Sequence, residues 1–157
     1  MSEYAAIEEL VAESLANSLS QVLWSGSVSS FTAKMQYVPD YEVADLATLR
    51  VSVVPGDLDI SLFEGRGGDL HEPHVHIVMA KRFANDAEVR DLIKLRTQIQ
   101  DKVRSGTLPA STPAMPSGVQ WWGMQVSSTF DRDQLSASRV FLADIEVSYR
   151  ILLGREG

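Results

Sequence analysis

The sequence predicts an α+β domain in which two principal helices pack on a mainly antiparallel, mixed sheet with long hairpin extensions. Three observations carry this. Apolar residues recur every three to four positions near Tyr4–Val22 and Asp86–Arg104. Elsewhere the apolar period falls to two, giving about four to six strands. The joining segments are rich in Gly, Pro and Ser, which punctuate structure. A length of 157 residues fits a single domain spanning residues 1–157.

In the first helix Ile7, Leu10, Val11, Leu15, Leu19 and Val22 form the apolar stripe. Ser2 is the expected N-cap, and Glu3, Glu8 and Glu9 stand where the helix dipole favours negative charge. Gly26 and its neighbouring serines end the helix. Phe31, Ala33, Met35 and Tyr37 then alternate with polar residues as a half-buried strand closed by Pro39. Asp40 to Asp45 has room for one helical turn. Leu49, Val51 and Val53 alternate up to Pro55-Gly56, and Leu58, Ile60 and Leu62 continue beyond it. Pro55-Gly56 is either a tight turn or a bulge within one long ribbon. Gly65 to Asp69 reads as a flexible tip, and Val75, Ile77 and Met79 form the returning strand.

The second helix has a capping box, Asn85-x-x-Glu88, and a C-cap glycine at Gly106. Val89, Leu92, Ile93, Ile99 and Val103 make its stripe, and Leu95 lies partly off it, placed for a second contact. Thr107 to Gly118 carries Pro109, Pro113 and Pro116 and must be a surface connector. This connector and Glu64–Glu72 are expected to be mobile in the isolated subunit. Two strands close the chain, around Trp122–Val126 and Arg139–Leu152, joined by the Ser/Asp-rich segment Ser127–Ser138. The last strand could reach ~14 residues, or roughly 45 Å, against the usual five or six. A small domain cannot cover both faces of such a strand, so part of it calls for a neighbour.

Composition excludes several classes of function. The net charge of −7 argues against a stand-alone nucleic-acid binder. The absence of cysteine removes disulfides, thiolate nucleophiles, Cys-type zinc sites and iron–sulfur clusters. The acidic start, Met1-Ser2-Glu3-Tyr4, is unlike a secretion signal, and no apolar run approaches ~18 residues. A cytoplasmic protein without a membrane partner is expected.

One constellation suggests chemistry. His71, His74 and His76, the three histidines of the chain, fall within six residues beside Asp69 and Glu72. On a strand His74 and His76 share a face, and such a pair can chelate a divalent metal. A catalytic site would need a third rigid ligand, which neither the glycine-rich tip nor Glu72-Pro73 offers. The expectation is therefore no metal and no cofactor, with these residues polar on an exposed strand face and replaceable by Gln at little cost. Nucleophile elbows, phosphate loops and His-Glu-x-x-His helices are missing. Asp131-Arg132-Asp133 reads as a solvated charge pair. Of Trp121 and Trp122, adjacent on a strand, one should join the core and the other a subunit contact. No catalytic residue is assigned, and the chain is not expected to be an enzyme.

The order of features resembles the tail terminator (tail completion or neck) proteins of long-tailed bacteriophages. The resemblance runs through the N-terminal helix, Phe31-Thr32-Ala33, Tyr37-Val38-Pro39 and Leu46 to Pro55. It continues through His74–Lys81, Asp86–Arg104 and the final strand Phe141–Arg150. The Pro109–Pro116 connector and the histidine run are not part of it. What the resemblance implies is a virion protein assembled in the host cytoplasm into a homohexameric ring. Such a ring caps the tail tube, stops its polymerisation and docks the head–tail connector; a tail sheath is left open as a further partner. DNA would pass through without sequence-specific binding, and an acidic bore would repel its phosphates. Phe63, Trp121, Trp122 and Phe141 are the apolar candidates for contacts between subunits. Two alternatives stand beside this: another neck, connector or tube-like assembly subunit, and a metal-dependent enzyme built on the histidines.

Overall fold

In the computed structural model, which describes residues 6–25, 30–38, 43–63, 68–110, 114–127 and 140–154, seven regular elements follow one another. They are α1 (Ile7–Ser20), β1 (Ala33–Met35), β2 (Arg50–Phe63), β3 (Gly68–Arg82), α2 (Asp86–Ser105), β4 (Gln120–Ser127) and β5 (Val140–Gly154). A 3-10 helix at Val43–Ala47 precedes β2, where one helical turn is expected. The strands form one sheet in the order β1-β2-β3-β5-β4. All neighbours are antiparallel except β1, which runs parallel to β2, so the sheet is mixed. This is the α+β architecture that the two periodicities predict.

Alternation explains which face is covered. Val51, Val53, Val75, Ile77, Met79, Ala143, Ile145 and Val147 point to one side and are buried there. On that side α1 packs over β1, β2 and β3, and α2 over β4 and β5. Val11, Leu15 and Leu19 of α1 and Leu92, Leu95, Ile99 and Val103 of α2 complete the core. Leu95, partly off the stripe, is thus a core residue. The opposite face of the sheet carries the polar residues. Among the described residues it is covered at one end, where Leu46 of the 3-10 helix meets Ala80, Val140 and Leu142.

The helix ends differ from expectation. α1 starts at Ile7, with Ala6 in extended backbone as its N-cap and no side chain capping it. Ile7 packs against the core; the expected cap Ser2 and residues 1–5 lie outside the described residues. At the other end Ser20 accepts a hydrogen bond from the Ala33 amide at 2.9 Å and donates to the Ala16 carbonyl. That hydroxyl fastens β1 to the end of α1, and the helix stops there, short of Val22. β1 is shorter than the Phe31–Tyr37 alternation suggests because Phe31 leaves the strand to stack on Trp24, ring centres 5.5 Å apart. α2 is as expected. Asn85 Oδ1 accepts from the Glu88 amide at 3.0 Å, and Gly106 takes the left-handed conformation at φ 69°.

Pro55-Gly56 is a bulge and not a turn, because β2 runs through it with a shift in its register against β3. Gly68 to Glu72, expected in the flexible tip, are strand residues paired to β2. Residues 64–67 of that expectation, and 111–113 of the proline-rich connector, lie outside the described residues. Leu108 and Met115 of the connector pack on the core.

Candidate functional site

The polar face of the sheet holds the histidine pair. Strand parity sends His74 and His76 to this side, across from Ser148 and Glu146 of β5. The bulge in β2 shifts parity so that Asp59 arrives beside them. His74 is held from both ends, with Nδ1 2.8 Å from Ser148 Oγ and Nε2 2.9 Å from Asp59 Oδ2. His76 Nδ1 lies 2.9 Å from Asp144 Oδ1, and its Nε2 is 3.9 Å from Glu146 Oε2. The hydrogen bond from Asp144 raises the pKa of His76 above its usual value; partial burial opposes this, and Asp144, Glu146 and Asp57 add to it by charge.

His71 does not join them. Three residues away on the strand, it points to the helix side, paired between Ile60 and Ile151. Its Nδ1 is buried without a hydrogen-bond partner among the described residues. The run therefore splits across the sheet. Among the described residues no three His, Asp or Glu side chains gather as a metal ion requires.

Ser148, His74 and Asp59 form a hydroxyl–imidazole–carboxylate chain. Ser148 sits in the middle of β5, paired on one side to β3 and on the other to β4. Its neighbour Val147 on β5 is paired in both ladders. The chain works as a cross-strand tie joining three strands.

The sequence named the histidines but not their partners Asp59, Asp144, Glu146 and Ser148. Their alternation put them on a common face; only the register of β2 and β5 against β3 places them together.

Trp121 and Trp122 do point to opposite faces, yet neither joins the core. β4 is the sheet edge, and a bulge there leaves both partly exposed. The Arg150 guanidinium lies 4.0 Å from the centre of the Trp122 ring. Phe141, expected at a subunit contact, is instead fully buried, because it lies on the helix-covered side of β5. The side chain of Phe63 and the Asp131–Asp133 pair lie outside the described residues.

On the helix side, a half-open cavity of about 440 Å³ lies between α1, the end of α2 and the connector. Its walls include Leu15, Val103, Leu108, Met115, Trp121 and Tyr149, and its lining bears no charge. Burial pushes the Tyr149 phenol well above its ordinary pKa, so it stays neutral. Among the described residues no helix is long and apolar enough to cross a membrane. No protein-family model matches the chain, and none of the curated proteins compared with it is similar.

Proposed function

We propose that this chain is a ring-forming assembly subunit of the tail terminator type, closing a phage tail tube and presenting a surface to the head connector. One observation carries the reading. Ile60, Trp121, Trp122, Leu152 and Leu153 are all substantially exposed, Ile60 and Trp122 at 57% each, and all lie toward one end of the sheet. At this end Ile60, Trp121 and Leu153 face the helix side, while Trp122 and Leu152 face the polar side. A ribbon apolar on both faces is made to be covered by something outside its own subunit.

A closed ring satisfies this need, because one surface of each copy meets a different surface of the next. Burying two aromatic side chains per contact contributes several kcal/mol at roughly 25 cal/mol per Å² before association costs. Around the two histidines the polar face carries an acidic patch of Asp57, Asp59, Glu72, Asp144 and Glu146, while Lys34, Arg50, Arg82 and Arg150 stand on the same face away from the patch centre. Turned toward a bore, the patch would keep DNA from adhering. The same apolar end also suits a connector or tube subunit, and neighbouring genes for tube, sheath and connector would favour the terminator.

Deleting the gene tests the reading: tails should grow to uncontrolled length and fail to join heads. Normal tails and normal joining would overturn it. Imaging of the purified protein beside its mass in solution should give a six-membered ring at high concentration.

A further inference from the structure

The sheet has two edges that differ in chemistry. β1 pairs only with Val51, Ser52 and Val53, so among the described residues no strand flanks β2 from Val54 to Phe63. On the opposite side β4 is the last strand, paired along one side to β5. The β2 edge carries Pro55, which cannot donate to a ladder, followed by exposed Asp57 and Asp59. These devices oppose pairing of a second β2 at that place. β4 contains neither a charged residue nor a proline, and its Trp122 carries the Arg150 guanidinium on the polar face. One edge is acidic, the other aromatic and cationic.

We infer that the partner of these edges is a second copy of this chain, β4 of one subunit adding to the Leu58–Phe63 half of β2 on the next. Strand direction permits it. β2 runs antiparallel to β3, β3 to β5 and β5 to β4, so a neighbour with the same face outward presents β2 antiparallel to β4. Placing Asp59 opposite Trp122, where it meets Arg150, sets the whole register. Ile60 then falls opposite Trp121 and Ser61 opposite Gln120. Ile60 and Trp121 both point to the helix side, and both are exposed in the single subunit. A single alignment thus matches charge on one face and apolar surface on the other. Backbone bonds supply affinity and the alternating side chains supply selectivity. The contact deepens the ring reading, on which only the number of copies rests.

The chain has no cysteine, so introduced thiols report without background. Ser61→Cys and Gln120→Cys, both at exposed positions, are combined in one variant and oxidised at high protein concentration. A ladder of disulfide-linked multimers is expected from the double variant and no covalent dimer from either single variant. Adding Arg150→Glu should remove most of the ladder, and Asp59→Arg should restore it. A dimer from a single variant would show like edges meeting, and no product from the double variant would show edges apart; either overturns the inference. A ladder ending at a number other than six supports the contact and overturns the hexamer. A six-membered ring seen by imaging without cross-links overturns the contact and leaves the hexamer standing.

Discussion

Gly56 lies against the ring of His76: a Cβ at position 56 would stand 3.0 Å from Cδ2 and 3.1 Å from Nε2. It would also come within 2.9 Å of the His74 carbonyl oxygen, a backbone atom that cannot swing aside. The bulge in β2 therefore needs glycine for space, and the close approach sets the position of the imidazole above it. Gly56→Ala should destabilise the fold by about 1–3 kcal/mol, the usual range for overpacking. Denaturant unfolding of the variant beside the parent protein measures this.

The same imidazole gives a pH dependence with a definite sign. His76 has a raised pKa in the folded chain, chiefly through its hydrogen bond with Asp144. Its charged form is favoured by folding. The resulting stability is fully present below the unfolded value near 6.5 and is lost as pH rises through the folded pKa. Asp144, Glu146 and Asp57 are the charges that act on it. His76→Gln should therefore cost more at pH 6 than at pH 9. A half-exposed ion pair of this kind is worth about 0.5 kcal/mol. Melting curves of both proteins across this range check the direction.

His74 should behave differently. It is bonded at both nitrogens, to Ser148 and to Asp59, and ties β2, β3 and β5 together. The sequence alone suggests that Gln would be tolerated at little cost. The two hydrogen bonds raise the expected loss for His74→Gln to about 1–2 kcal/mol. A chelator should change neither the melting temperature nor assembly, since the loss comes from broken ties and not from a released ion. A drop in stability with chelator in the parent protein would reverse this account.

Local signals in the sequence told most of the elements and few of their relations. α2 was legible to its caps because Asn85, Glu88 and Gly106 act within one turn of the helix ends. The alternation of β5 also read directly, since a fifteen-residue strand repeats its signal many times. The parallel pairing of β1 did not, because three residues carry no sign of direction. The bulge at Pro55-Gly56 was one of two local solutions, and only pairing with β3 decides between them. The polar site failed for a related reason. Asp59 reaches His74 through a one-residue shift in register, and nothing local encodes the partner of a strand. Phe141 and the tryptophans show the same limit: an aromatic residue in a strand reads alike in a core and at an edge.

Phe141 and Trp122 now separate two effects that sequence reasoning joined. Phe141 is fully buried beneath the helical layer. Phe141→Ala should leave a cavity and destabilise the single subunit by about 3–5 kcal/mol. Trp122 stands at the sheet edge, more than half exposed, with Arg150 across its ring. Trp122→Ala removes little that the isolated subunit buries, so its stability should change by about 1 kcal/mol or less, the scale of an exposed cation–π contact. Self-association should respond in the opposite order. Trp122→Ala should weaken assembly at concentrations where its subunit remains fully folded, measured by sedimentation beside thermal unfolding. A Trp122→Ala protein that assembles as well as its parent would remove this residue from the contact.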